Sequence, residues 1–317
     1  MDIRNRRWHP EAVAAVDPRL REALPELAPS SLPLGYLTPD FAANFGFKKV
    51  LVSSGGGDNM MGAIGTGNVV PGVCTLSLGT SGTIYSYFDE PFSDPEGEIA
   101  AFCDSTGGWL PLLCTMNVTN TTELFKSFLG GLSNEELERL AGQAAAGAAG
   151  LIFLPFIDGE RVPALPDAGA VFFGLTRANF GRSPMARAIL EGTILNLGYG
   201  FGRMKELGLR PTEIRATGGG AGSRLWLQIV ADVFQTPVVT LREQEAAAFG
   251  AALQSIWAWR RESGKDVSIR DLVGAMVHKG TDLAAPDPAR AGLYLGLQAR
   301  FNDLWRRLAP SFQRSGL

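Results

Sequence analysis

Apolar positions change their period along this chain. From Val73 to Leu78 and from Thr83 to Phe88 they approach alternation (VCTLSL, TIYSYF), the period of two that a pleated strand imposes. The residues between, Gly79-Thr80-Ser81-Gly82, are turn formers, so the segment reads as a β-hairpin. Ala100–Asp104 and Trp109–Met116 can add strands to it. Helical spacing then takes over. Residues 119–129 are amphipathic, and Ser133-Asn134-Glu135-Glu136 is a capping-box start for a helix to about Ala145. Ser183-Pro184 opens a long helix to about Leu207, with proline at its tolerated first position. Leu151–Phe156 reads as a buried strand. Beyond it come a strand (Glu213–Ala216), a helix (Ser223–Gln235), a strand (Pro237–Leu241), an Ala-rich helix (Gln244–Arg261) and closing helices at Ser268–His278 and Asp287–Leu308. The stripe Leu293, Leu297, Phe301, Leu304 and Leu308 has helical spacing and is assigned to core packing. Strands alternating with helices, with glycine-rich turns at strand ends, predict an α/β domain.

The N-terminal stretch is different. Residues 1–47 carry scattered charges and prolines with short helical pieces at Pro10–Ala15, Pro18–Leu24 and after the Thr38-Pro39-Asp40 start, which reads as a connector. Lys49–Ser53 (KVLVS) is a short apolar run that enters Ser54-Gly55-Gly56-Gly57-Asp58-Asn59, and a helix of small residues follows from Asn59 to Gly65.

Composition narrows the function classes. The 317 residues are 45% hydrophobic and 19% charged, with net charge −3 and two histidines, His9 and His278. There is no basic footprint for nucleic acid and no His/Cys cluster for a metal. Cys74, Cys103 and Cys114 lack CxxC spacing and are expected as unpaired small apolar residues. Residues 1–10 contain no apolar signal core, and no run reaches the roughly 18–20 residues of a membrane span, so a cytoplasmic location without membrane contact is expected.

Three glycine-rich segments carry the candidate chemistry. Phosphoryl transfer needs N–H donors around phosphates, a carboxylate near the acceptor hydroxyl, and a slot for the nucleotide base. Gly79-Thr80-Ser81-Gly82 can present N–H and hydroxyl donors to one phosphate, although an ordinary hairpin turn explains the same residues. Thr217–Ser223 (TGGGAGS) follows a strand and opens a helix, so its glycines allow close approach and the helix start adds a positive dipole end. It is not G-x-G-x-x-G with an acidic residue at the dinucleotide-binding distance. Asp58 can serve as a general base toward a hydroxyl, or as a plain helix N-cap.

In this order these segments resemble the FGGY carbohydrate kinases of the sugar-kinase, Hsp70 and actin superfamily, and within them the xylulose-phosphorylating branch. The resemblance covers GGGDNMMGAIGTG (55–67), SLGTSGTIYSY (77–87), LPFIDGERVP (154–163), AVFFGLTRANFGRSPMARAILEG (170–192), TGGGAGSRLWLQIVADVFQTPV (217–238) and EAAAFGAAL (245–253). It implies ribonuclease-H-like α/β domains with a mixed sheet, closing on ATP, Mg²⁺ and a sugar. By that likeness Asp58 activates the sugar hydroxyl and Asn59 lies beside the sugar. Gly79, Thr80 and Ser81 would hold phosphate, Gly218, Gly219, Gly220 and Ala221 would line the adenosine slot, and Glu245 would sit near it.

Two departures qualify the likeness. Pro184 stands where the signature around 170–191 usually has a polar residue, which a helix start accommodates. Nothing in residues 1–50 resembles the Asp-Gly-Thr phosphate loop that opens the family's first domain, nor is there the Gln/Met-His-Gly segment that holds the sugar. Residues 1–70 are therefore expected to be the C-terminal remnant of a first domain, carrying the Asp58 loop, and 71–317 a complete second, nucleotide-binding domain. Such a remnant would expose a strand edge at Lys49–Ser53. It would also lack the sugar and Mg²⁺ positioning that can represent about 7–11 kcal/mol of barrier. The expected reaction is transfer of the ATP γ-phosphate to a sugar hydroxyl, D-xylulose to D-xylulose 5-phosphate. The alternatives are a non-catalytic nucleotide-binding fragment, half of a split enzyme that pairs with a separate N-terminal chain, or an FGGY kinase for another sugar; a homo-oligomer is left open.

Overall fold

A computed structural model describes residues 1–312. Its N-terminal part holds α1 (Pro10–Val16), α2 (Leu20–Ala23), β1 (Pro33–Tyr36), α3 (Pro39–Asn44) and β2 (Leu51–Ser53). Prolines at the first turns of α1 and α3 match the expected starts, but Thr38 makes no side-chain cap bond. Among residues 1–53 only Ser31 and Ala42 are buried, while Leu34, Tyr36, Phe41, Phe45 and Phe47 are exposed. The β2 strand expected to stand bare is paired antiparallel with β1, Pro33 opposite Ser53 and Tyr36 opposite Leu51. A Pro-Leu-Gly-Tyr strand was not legible because proline and glycine argue against one.

The remainder runs α4 (Asp58–Thr66), β3 (Val73–Leu78), β4 (Gly82–Ser86), β5 (Leu112–Thr115), α5 (Thr119–Phe128), α6 (Asn134–Gly142), β6 (Ile152–Leu154), β7 (Val171–Phe173), α7 (Arg182–Glu206), β8 (Glu213–Thr217), α8 (Arg224–Phe234), β9 (Val238–Leu241), α9 (Ala246–Glu262), α10 (Ile269–Met276), β10 (Lys279–Ala284) and α11 (Pro288–Phe312). Six strands form one mixed sheet in the order β10-β9-β8-β3-β4-β5. β3, β8 and β9 are parallel, whereas β4, β5 and β10 are antiparallel to their neighbours. The molecule is thus α/β with a mixed sheet, and the β3–β4 hairpin turns at Gly79–Ser81 as its residues require. Ala100 and Cys103 make only isolated bridges, and β6 pairs with β7 in a separate two-stranded sheet. β10 was not expected, since Lys-Gly-Thr-Asp-Leu-Ala has little strand character, and it lies on the sheet's edge.

Two layers of helices cover the sheet. On one side α7 and α8 bury Ile194, Leu197, Phe201, Ile229 and Val230 with Leu76, Ile84 and Leu113 of the strands. A second core puts Tyr294, Leu297, Phe301 and Leu304 of α11 with Leu195 of α7 and Ile152, Leu154 and Phe156. The closing apolar stripe is therefore core at Leu297, Phe301 and Leu304, whereas Leu308 is only partly buried and Leu293 is exposed. A buried cluster reinforces this junction: Glu191 accepts from Arg187 Nε (2.7 Å), Tyr294 Oη (2.8 Å) and the Gly147 N–H (2.9 Å). On the other side Ala63 of α4 packs on Tyr85, Leu110 and Leu112, and α4, α9 and α10 share Met61, Ile64, Leu253, Trp257 and Leu272.

The α4–α9 contact depends on two glycines. A Cβ on Gly250 would lie 1.7 Å from Met61 O, and one on Gly65 would lie 1.8 Å from Ala246 O. The backbones touch, which fixes the helix that begins at Asp58 against the one that begins beside Glu245. The three cysteines are free, Cys74 fully buried. No helix among the described residues is long and apolar enough to cross a membrane.

Candidate functional site

Parallel pairing of β3 with β8, Ser77 opposite Thr217, puts the C-terminal ends of both strands side by side. The two glycine-rich segments that follow those strands therefore meet. Gly218 has φ +83°, and a Cβ there would sit 2.8 Å from Leu78 O, so a left-handed backbone and a bare Cα are both required. Gly219–Gly222 form a short 3₁₀ turn lying on Leu78.

In the β3–β4 turn the Gly79 N–H donates to Ser81 O (3.1 Å), while Thr80 and Ser81 are exposed. The turn's carbonyls are taken from outside: the Thr119 N–H donates to Gly79 O (3.0 Å) and the Val118 N–H to Thr80 O (3.2 Å). The turn tip thus leaves the N–H groups and hydroxyls of Thr80 and Ser81 on the open side, an arrangement suited to an anion.

Two cavities flank the Gly219–Gly222 turn. One, of about 380 Å³, is bounded by Thr119, Thr122 and Glu123 of α5, Leu137 and Glu138 of α6, and Trp226. The other, of about 530 Å³, is bounded by Thr217–Gly219, Thr240–Glu245 and Lys279–Asp282. Glu245 lies in the second, at the start of α9, and makes no side-chain cap bond there. The start of α8 is not a free anion site as its sequence suggested. Ser223 Oγ accepts from the Trp226 N–H (3.1 Å), and the Glu138 carboxylate accepts from the Leu225 N–H (2.8 Å). The chain's own carboxylate occupies that end of the dipole.

Asp58 and Asn59 are the first two residues of α4, with Gly57 as N-cap. The N-cap reading of Asp58 is therefore corrected, because the third glycine takes the extended cap conformation. Asp58 is exposed, and its Oδ1 accepts from the Asn59 N–H (2.8 Å). It lines neither cavity beside the Gly219–Gly222 turn. Gly56 and Gly57 instead border an 850 Å³ cavity with residues 27–31, Cys103–Gly107, Trp257 and Arg261. In that wall burial pushes the Asp104 carboxyl up to about 6, against the opposing bonds from the Thr106 side chain and N–H.

Sequence reasoning missed the buried hydrogen-bond cluster behind the Gly79–Ser81 turn. Glu160 is 2% exposed and accepts from the Met116 N–H (2.6 Å), the Arg161 N–H (2.7 Å), Asn117 Nδ2 (3.1 Å) and Asn196 Nδ2 (3.0 Å). Burial pushes its carboxyl up, and these donors pull it down in part. LPFIDGERVP was legible as a family segment, but nothing in its spacing shows where the carboxylate points. Among the described residues no three His, Cys, Asp or Glu side chains converge as a metal site.

Residues 63–259 match the C-terminal domain of the FGGY family of carbohydrate kinases, and residues 1–65 match that family's N-terminal domain. The chain is 46% identical over 260 residues to the xylulose kinase of Haemophilus influenzae, covering 81% of this chain and 52% of that protein. To the xylulose kinase of Escherichia coli it is 32% identical over 312 residues, covering 98% and 63%. Among solved structures, a ligand-bound xylulose kinase of Lactobacillus acidophilus superposes with TM-score 0.91 at 25% identity, covering 99% of this chain and 63% of that one. A gluconate kinase of the same organism superposes with TM-score 0.90 at 25% identity over 99% and 63%. The chain thus spans between about half and two thirds of the length of these proteins.

Proposed function

The chain belongs to the FGGY family of carbohydrate kinases, and from that premise we propose that it supplies the nucleotide half and the base of an ATP-dependent sugar kinase acting on D-xylulose. The observation that carries the proposal is the meeting of the Gly79–Ser81 turn with the Gly218–Ala221 segment at the adjacent ends of β3 and β8. Phosphate is assigned to the turn of Gly79, Thr80 and Ser81, with the N–H and hydroxyl groups of Thr80 and Ser81 as donors. Adenosine is assigned to Gly218, Gly219, Gly220 and Ala221 with Glu245 on the flanking wall. Because Glu138 already occupies the start of α8, that segment is suited to the uncharged adenosine and the hairpin turn to the phosphates.

Asp58 is assigned as the base that takes the proton of the attacking sugar hydroxyl as the phosphorus–oxygen bond forms, with Asn59 orienting the sugar. Exposure at the first turn of α4 leaves its carboxylate free to receive that proton. A magnesium ion is chemically compatible with this site, since Mg²⁺ keeps most of its water and needs only one or two carboxylates beside substrate phosphates. Asp58 is kept for the base, so no residue of this chain is assigned to hold the ion, which would neutralise phosphate charge.

Likeness to xylulose kinases favours D-xylulose, and likeness to a gluconate kinase supports a second reading in which the acceptor is a sugar acid. The residues that complete the sugar site are expected from the rest of a first domain, covalently joined or supplied as a separate chain. The assignment is tested by Asp58→Asn in enzyme reconstituted with the N-terminal domain of a related xylulose kinase. Loss of about 10²–10⁴ in kcat is expected. Retention of activity within tenfold would remove Asp58 from the role of base.

A further inference from the structure

The buried carboxylate of Glu160 has no catalytic assignment, and it makes no ion pair with any described Lys or Arg. Its four N–H donors come from three places: the end of β5 (Met116, Asn117), its own loop (Arg161) and the middle of α7 (Asn196). Asn196 accepts a cost to take part, since its Oδ1 is buried without a partner. A carboxylate buried without a cation is an expensive way to hold a core together. It is, however, an acceptor with two oxygens and room for four donors, which no neutral side chain offers.

Those donors lead directly to the phosphate turn. Asn117 is fixed on both sides, since its Nδ2 also donates to Gly159 O (2.7 Å) and its Oδ1 accepts from Asn120 Nδ2 (3.2 Å). Asn120 Oδ1 in turn accepts from the Val118 N–H (2.9 Å) and the Thr121 N–H (2.9 Å). The Val118 and Thr119 N–H groups then hold Thr80 O and Gly79 O. The path from Glu160 to the turn is a continuous series of hydrogen bonds through residues 116–120.

We propose that Glu160 is a positioning residue that sets the conformation of the Gly79–Ser81 turn, and so the phosphate-dependent part of nucleotide binding, through the β5–α5 connection. The proposal rests on the reading of that turn as the phosphate loop. Glu160→Gln keeps the shape but replaces one acceptor oxygen by an NH₂ that faces N–H donors. Asn117 cannot rotate to compensate, because its oxygen is engaged by Asn120.

The test compares the chain with its Glu160→Gln and Asn120→Ala variants by calorimetric titration with ATP and with adenosine, and by amide hydrogen exchange. In Glu160→Gln the ratio of ATP to adenosine affinity is expected to fall about ten- to hundredfold, the equivalent of one charge-assisted hydrogen bond. Adenosine affinity itself should be little changed. Exchange should accelerate in residues 79–82 and 116–120 and not in α11. Asn120→Ala, which leaves no buried charge unpaired, should move both readouts the same way by less, and it decides the matter if Glu160→Gln does not fold. Equal weakening of ATP and adenosine, or unchanged exchange at 79–82 in a folded variant, would overturn the proposal. If the unaltered chain binds ATP no better than adenosine, the phosphate-loop reading fails, while the exchange data still decide whether Glu160 positions the turn.

Discussion

Gly250→Ala places a methyl group where α9 meets α4, and the structure sets the size of the consequence. The new carbon would lie 1.7 Å from Met61 O and 2.7 Å from Gly65 N, both backbone atoms of α4. Neither can swing aside as a side-chain end would, so the helices must part by roughly 1.5 Å or more to restore ordinary contact distance. That separation loosens Met61, Ile64, Leu253 and Trp257 together. Overpacking of this kind costs about 1–3 kcal/mol, and an unyielding backbone neighbour puts the cost near the upper end. Alanine returns about 1 kcal/mol of helix propensity. The balance is a loss of about 2 kcal/mol, or roughly 3 °C in Tm for a chain of this size. Gly202→Ala in α7 is the control, because nothing lies within 4 Å of its Cβ position. There only the propensity gain of about 0.5–1 kcal/mol remains, and Tm should rise. Thermal unfolding followed by circular dichroism reads both variants. A Gly250→Ala protein that melts at or above the unaltered chain would refute the claim that backbone contact sets the α4–α9 distance.

Gly218→Ala forces a side chain into a backbone with φ +83° and against Leu78 O, and should cost about 1–3 kcal/mol while weakening ATP binding; ATP affinity equal to the unaltered chain by calorimetry would contradict the role given to that segment. Tyr294→Phe removes the hydroxyl that meets Arg187 (2.7 Å) and Glu191 (2.8 Å), leaving a buried donor short of a partner, and should lower stability by about 1–3 kcal/mol in urea titration. Asp104, raised to about 6 from 3.8, holds its proton more tightly folded than unfolded, so its contribution is favourable below about pH 4 and is lost as pH rises through 6. The stability of Asp104→Asn relative to the unaltered chain should therefore climb between pH 4 and 6 and level off above; a difference independent of pH would contradict the burial of that carboxyl.

Much of residues 71–312 was legible because its signals are local. The capping box at Ser133 and Glu136 forms as its residues dictate, with the Glu136 N–H donating to Ser133 Oγ (3.1 Å) and Glu136 Oε2 accepting from the Ser133 N–H (2.7 Å). The hairpin at Gly79–Ser81 and the helices opened by Ser223 and Pro288 are of the same kind, whereas α7 starts at Arg182 with Gly181 as its cap and Pro184 as its third residue. What could not be read was relational. β1 and β10 exist because a neighbouring strand offers an edge, overriding weak propensity in Pro-Leu-Gly-Tyr and Lys-Gly-Thr-Asp-Leu-Ala. Glu138 closing the start of α8 and the donors that converge on buried Glu160 depend on where long-range packing brings a carboxylate. The glycines of TGGGAGS showed that something approaches closely, but not that Leu78 is one of the neighbours.

The claim that this chain supplies the nucleotide half and base of a sugar kinase is tested most directly by incubating it with ATP, Mg²⁺ and D-xylulose, alone and mixed with the N-terminal domain of a related xylulose kinase, and identifying the products by mass spectrometry. D-xylulose 5-phosphate formed in stoichiometry with ADP in the mixture, and lost with Asp58→Asn, is the predicted result. Absence of any phosphorylated sugar from the folded mixture, with D-gluconate offered as well, would contradict it.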